Sequence, residues 1–297
     1  NPVINVRAFG ENPDPVGRFA AAFISGAQAS GSMATAKHFP GHGDTGVDSH
    51  IDMPVLRVDS QRLQAVELAP FRAAIEAGVS SIMTAHLSVP AITADEHLPA
   101  TLSHAVLTDL LRNQLDFKGL VVTDAMEMGG INRHWWSGQA AVQALAAGAD
   151  MVLLPPFPNA VRDAIVRAVE SGELSAERLD AAVRLVLQYK ARLGLHLSLA
   201  EASLADLPNR FAPASDALRA EEVGVAAVTL LRDRNEIFPL DARDRHRVLV
   251  VGISDTDAPV DVTTLSTSLR ESLEDVTSRS IDGRTNGEEV AALMAEA

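Results

Sequence analysis

The stretch "SHAVLTDLLRNQLDFKGLVVTDAMEMGG", residues 103–130, changes its period in the middle. Val106, Leu107, Leu110 and Leu111 recur at helical spacing behind Ser103, a residue type that caps helices. After Lys118-Gly119 the apolar residues run together as Leu120-Val121-Val122, the mark of a strand covered on both faces. The run then ends on a carboxylate, Asp124. Helix, buried strand and acidic strand end together predict a helix/strand repeat with chemistry at the C-terminal ends of the strands.

The same alternation continues on both sides. Upstream, "PVGRFAAAFISGAQASG" predicts a helix, "MATAKHF" a strand, "DSQRLQAVELAPFRAAIEAG" a helix broken near Pro70, and "VSSIMTAH" a strand. Downstream, "SGQAAVQALAAG" predicts a helix, "ADMVLLP" a strand, and "NAVRDAIVRAVESG" and "SAERLDAAVRLVLQYKARLGL" two helices. Strands joined by single helices must run parallel. Polar residues gather at the strand ends, in Lys37-His38, Ala85-His86 and Thr123-Asp124. A (β/α) barrel builds its active site there, although a doubly wound sheet shares that feature.

Residues 1–195 are therefore read as a catalytic (β/α) barrel portion with its early strands missing, since four strands are visible where about eight close a barrel. Residues 196–228 read as a linker and connecting helix. Residues 229–297 read as the beginning of a second α/β sandwich domain, with "VTLLRD" and "RVLVVGI" as strands and "TTLSTSLRESL" as a helix. The fold class is α/β: an incomplete (β/α)8 TIM-type barrel followed by the start of an αβα sandwich. The chain opens without an initiator Met and stops inside a helical pattern, so it is expected to belong to a longer polypeptide.

Composition narrows the partners. A formal net charge of −14 disfavours nucleic acid and anionic membrane surfaces. No apolar run reaches the roughly 18 residues of a membrane-spanning helix. There is no cysteine, hence no disulfide framework and no thiolate metal site. The compartment is not legible from these features.

A second stretch, "HFPGHGDTGVDSH" at 38–50, packs three histidines, two aspartates and three glycines into a loop with almost no apolar content. Pro40, Gly41 and Gly43 forbid a helix, so His38 and His42 are not the i, i+4 pair of a zinc helix. Asp48 and His50 lie two apart. In extended backbone both side chains then share one side, with Cα atoms about 7 Å apart. The carboxylate can hold the imidazole in one tautomer, which suits a general acid/base.

"KHFPGHGDTGVDSH", the nucleophile-like region at 119–128 and "VRAFGENPDPV" near the start together resemble the β-N-acetylglucosaminidases of glycoside hydrolase family 3. The resemblance covers residues 1 to about 233 and is tightest at 37–50 and 119–128. It implies that Asp124 is the nucleophile, that His50 is the acid/base oriented by Asp48, and that Arg7, Lys37 and His38 bind sugar hydroxyls. It implies a carbohydrate substrate with terminal β-linked N-acetylglucosamine, from cell-wall fragments or chito-oligosaccharides, and neither metal nor cofactor. His86 is read as a supporting wall residue, and Trp135-Trp136 either stack on sugar or pack. A family aspartate that binds sugar lies upstream of the Arg7 segment and has no counterpart here. A histidine in place of the usual second carboxylate repels an anionic acceptor less, which leaves phosphorolysis open beside hydrolysis. Two other readings use the same residues: a metal-dependent barrel hydrolase on His38, His42, His86 and Asp124, and an inactive sugar-binding fragment.

Overall fold

A computed structural model describes residues 8–197, 204–207, 214–234, 238–239, 247–254 and 260–296. The chain divides into two compact units, Asn1–Glu201 and Ala202–Ala297.

The first unit begins with helix α1, Pro13–Ala29. Asn12 caps it through its side chain, and Pro13 occupies the first helical position, where its missing N–H costs nothing. Strand β1, Thr35–Phe39, follows. The next helical stretch is interrupted, as Pro70 predicts. Asp59 accepts from Arg62 N at 2.7 Å to cap α2, Ser60–Arg62. Wide π-type turns then occupy Leu63–Glu67, and α3 resumes at Ala69–Glu76. Pro70 has no N–H to give the preceding turn, and Leu68 N reaches back five residues to Leu63 O at 2.9 Å instead. Strand β2, Ser81–Thr84, leads through the short α4, Pro90–Thr93, to a wide-turned helix at Ala105–Gln114. Strand β3, Leu120–Ala125, comes next, then the short α5, Gly129–Asn132, and α6, Ser137–Ala147. Strand β4, Met151–Leu153, and helices α7, Pro158–Ser171, and α8, Ala176–Arg192, complete the unit.

The four strands pair in parallel in the order β1-β2-β3-β4. That order separates the two parallel architectures. A doubly wound sheet reverses direction at a switch point, whereas here every crossover steps the same way. Right-handed crossovers that never reverse put their helices on one face and leave the other as a concave interior. The sheet is thus an arc of a (β/α) barrel. It does not close: among the described residues β1 and β4 each pair with one strand only. Burial agrees along β3, where Val121 and Thr123 are buried and Val122 and Asp124 face the partly open interior. β4 is half-buried throughout, less covered than its apolar sequence predicts.

The strand beginnings are tied together at the opposite end from Asp124. Asp150, whose side chain is 2% exposed, accepts from Val121 N at 2.9 Å, Arg112 Nη2 at 2.5 Å and Arg178 Nη2 at 2.6 Å. Arg112 also donates to Phe117 O and Gly119 O, and Arg178 to Leu145 O and Ala149 O. One carboxylate therefore joins the starts of β3 and β4 to two helices.

The second unit contains helix α9, Ala214–Ala227, and two parallel strands, β5, Arg247–Ile253, and β6, Asp275–Ile281. Helix α10, Thr263–Arg270, makes the crossover, and α11, Gly287–Glu296, ends the chain. Val250, Leu273 and Val276 form its small core. "VTLLRD" is not a strand. Residues 228–233 find no sheet partner among the described residues, and Val228, Leu230 and Leu231 stand exposed. A strand exists through its pairing, and apolar content alone does not make one.

Candidate active site

Asp124 stands at the C-terminal end of β3 with its side chain 15% exposed. Its Oδ1 accepts from Ala125 N at 2.8 Å, which fixes the carboxylate plane. Its Oδ2 lies 3.5 Å from His38 Nε2, carried on β1.

His50 and Asp48 form the pair that their spacing predicts. Asp48 Oδ1 accepts from His50 Nδ1 at 2.7 Å and from His50 N at 2.9 Å. These two bonds, the backbone one first, hold the Asp48 carboxyl below the ordinary carboxylate range. A carboxylate only accepts, so the proton of the neutral ring sits on Nδ1. Nε2 then has a lone pair to take a proton, or a proton to give. The His50 side chain is 66% exposed, free to meet a substrate.

His42 holds the first half of this loop. It is buried, with Nδ1 2.8 Å from Thr45 Oγ1 and Nε2 3.0 Å from Ser49 Oγ. Burial lowers its pKa, against opposing pulls from the negative charges of Asp124 and Asp48. The His38 and His42 rings meet edge to face at 6.0 Å.

His86 is fully buried below the site. Nε2 donates to Ala125 O at 3.0 Å, and Nδ1 lies 2.9 Å from Thr101 Oγ1. Burial lowers its pKa and keeps it neutral. It supports the peptide after Asp124 and has no nitrogen left for a substrate or a metal. Among the described residues no group of three or more His, Asp or Glu side chains could hold a metal ion.

The remaining candidates are scattered. Lys37 is exposed on β1, and its side chain makes no hydrogen bond or ion pair among the described residues. Arg7 lies outside the described residues. Trp135 packs against the core, while Trp136 is 54% exposed and lines, with Arg133 and Phe157, a shallow cavity of about 250 Å³.

Residues that sequence reasoning passed over lie just after β3. Gly129 N donates to His50 O at 3.1 Å and Gly130 N to Ser49 O at 3.0 Å. His134 Nε2 is 2.9 Å from Asp52 Oδ1. The available signal was the pair of glycines itself, directly behind a strand that ends on a carboxylate.

Comparison with known proteins adds an independent view. The model of the glycosyl hydrolase family 3 N-terminal domain matches residues 1–189. Beta-hexosaminidase A of Pseudoalteromonas piscicida is 33% identical over 270 residues, covering 83% of this chain and 45% of that protein. A beta-N-acetylglucosaminidase/beta-glucosidase of Cellulomonas fimi is 32% identical over 273 residues, covering 88% and 47%. Among solved structures, a family 3 beta-N-acetylglucosaminidase from Paenibacillus sp. str. FPU-7 superimposes with a TM-score of 0.85 at 36% identity, over 100% of this chain and 57% of that one. The chain thus spans about half the length of the curated relatives it matches, 45% and 47%.

Proposed function

Because this chain belongs to glycoside hydrolase family 3, we propose that its protein removes terminal β-linked N-acetylglucosamine with retention of configuration, through a covalent intermediate on Asp124. The observation that carries the proposal is the pairing of two groups. A carboxylate is held rigid at the end of β3, and an Asp48-oriented imidazole is hydrogen-bonded, through its own backbone, to the segment just beyond it.

In the first step Asp124 attacks the anomeric carbon while His50 Nε2–H protonates the departing glycosidic oxygen. The C1–O bond to the aglycone breaks and a glycosyl ester forms. In the second step the now neutral His50 takes a proton from water at Nε2. That water attacks the same carbon, the ester bond breaks, and Asp124 is restored as carboxylate. Asp48 accepts from Nδ1–H throughout, so Nε2 alone carries the proton in and out. His38 lies beside the carboxylate, and with Lys37 and Arg7 it is assigned to the hydroxyls of the sugar. The exposed position of His50 suits a group that must reach the leaving oxygen from a loop.

The names of the relatives support the 2-acetamido sugar, and cell-wall fragments or chito-oligosaccharides are its natural sources. Aryl β-N-acetylglucosaminide and aryl β-glucoside, offered to the full-length protein, test this. The acetamido substrate is expected to be cleaved faster, with the β-anomer as first product by NMR. A preference for the plain glucoside would refute the substrate, and a first-formed α-anomer would refute the mechanism.

A further inference from the structure

The loop that carries His50 starts from β1 and has no helix or strand of its own between Phe39 and Ser60 apart from one isolated parallel bridge, Val55 to Ser88, at its far end. That bridge anchors residues 54–56, so something else must place the turn at 48–52 that carries Asp48 and His50. The first half is held by side chains: His42 bonds Thr45 and Ser49, and Arg62 pairs with Asp44 at 2.8 Å. The second half is held differently, by backbone donors from another part of the barrel.

We propose that Gly129 and Gly130, assisted by His134, are positioning residues that seat the His50 loop on the segment following the nucleophile strand. This rests on the acid/base role of His50 given above. Two consecutive N–H groups meet two consecutive carbonyls, Gly129 N to His50 O and Gly130 N to Ser49 O, at 3.1 and 3.0 Å. Neither glycine has a positive φ, so backbone conformation is not why glycine stands there. Close approach is. A Cβ on Gly129 would lie 2.4 Å from Ile51 O and 2.8 Å from His50 O. A Cβ on Gly130 would lie 2.9 Å from Ser49 O, 3.1 Å from His86 O and 3.2 Å from Asp52 O. Every one of these neighbours is main chain, which cannot swing aside like the end of a long side chain. Any side chain at either position lifts the loop.

At the outer edge, His134 Nε2 meets Asp52 Oδ1 at 2.9 Å. Asp52 N and Ile51 N in turn bond Asp48 O, so this contact closes the turn that carries the dyad. At the inner edge, Ala125 O accepts from Met128 N at 3.1 Å and from His86 Nε2 at 3.0 Å. The short link from Asp124 to Gly129 is therefore stiff. Nucleophile and acid/base, one on β3 and the other on the loop after β1, share one frame six residues long, Asp124 to Gly129.

Gly130→Ala, Gly129→Ala and His134→Ala in the full-length protein test this. Each is compared with the parent on an aryl N-acetylglucosaminide with a good leaving group and on a disaccharide. A displaced His50 leaves glycosylation by the activated substrate nearly intact. Disaccharide cleavage and deglycosylation are expected to fall by up to about 10²–10⁴-fold in the glycine variants, the usual value of acid/base help. Azide, a nucleophile that needs no base, restores turnover of the aryl substrate. His134→Ala shifts the same ratio less. Equal losses on both substrates without azide rescue, or parent-like kinetics, overturn the proposal. Hydrogen exchange at the 48–53 amides provides a readout that needs no activity. Faster exchange there, with β3 unchanged, is expected, and unchanged exchange overturns the seating. Should a glycine variant fail to fold, His134→Ala decides by the same two readouts. A parent protein that turns over neither substrate refutes the functional reading above, while the exchange result still judges the seating.

Discussion

Asp124 and His50 are prepared in opposite ways. Asp124 is fixed by its own strand end and by the next peptide N–H, while His50 is exposed and depends on Asp48 and on a borrowed platform. Their substitutions should differ accordingly. Asp124→Ala removes the only group proposed to form the glycosyl ester, and turnover of every substrate is expected to fall by at least about 10⁴-fold. Retention of a tenth of the activity would assign the nucleophile elsewhere. His50→Ala is expected to spare the first half-reaction on an activated aryl substrate and to slow the second by about 10²–10⁴-fold, visible as a burst of phenol. A uniform loss without a burst would remove His50 from proton transfer. The dyad was legible in the sequence because Asp48 and His50 sit inside a stretch that resembles the family's loop; the i, i+2 spacing alone is common in solvated loops. His86 was read as a supporting wall residue, and its bonds to Ala125 O and Thr101 fit that reading; the work of His42 was not legible, since a buried histidine and a ligand look alike until their partners are known.

At the scale of elements, the ends of β3 divide stability from chemistry. Its C-terminal end carries Asp124, and its beginning is bound to Asp150 and two arginines. Removing one partner from a buried ion pair leaves the others unmatched, at a cost of about 3–5 kcal/mol. Asp150→Ala is therefore expected to lower the urea midpoint by that equivalent, read by circular dichroism. A loss below about 1 kcal/mol would mean that the arginine bonds to backbone carbonyls carry the junction alone. The elements themselves were largely legible. Pro70 predicted the break that appears as wide turns at Leu63–Glu67, and Ser103 begins the next helix by accepting from Val106 N at 3.3 Å. "VTLLRD" misled because periodicity reports burial and cannot report whether a partner strand exists. The Gly129–Gly130 platform escaped notice because its meaning lies in a contact with residues some eighty positions away.

At the scale of the molecule, strand order resolved what composition could not. Alternation predicted parallel strands, and only the unreversed order β1-β2-β3-β4 distinguishes a barrel arc from a doubly wound sheet. Two buried histidines should also mark the stability of the whole barrel unit. His42 and His86 both have pKa values lowered from 6.5 by burial, so they are neutral when folded and titrate normally when unfolded. Below pH 6.5 the unfolded chain then binds more protons, and stability falls as pH decreases toward the folded values. Each histidine contributes a slope of up to about 1.4 kcal/mol per pH unit. Urea unfolding at pH 7, 6 and 5 is expected to show this decline, and His86→Gln to flatten it; a flat parent profile would deny the buried neutral state. The central claim, that this architecture serves a covalent intermediate, is tested most directly by mass spectrometry of the full-length protein quenched during turnover of a slow aryl N-acetylglucosaminide. One N-acetylglucosaminyl adduct on the peptide containing Asp124 is the result expected. Steady turnover with unlabelled protein, as when the acetamido group of the sugar itself attacks, or an adduct on any other residue, would contradict it.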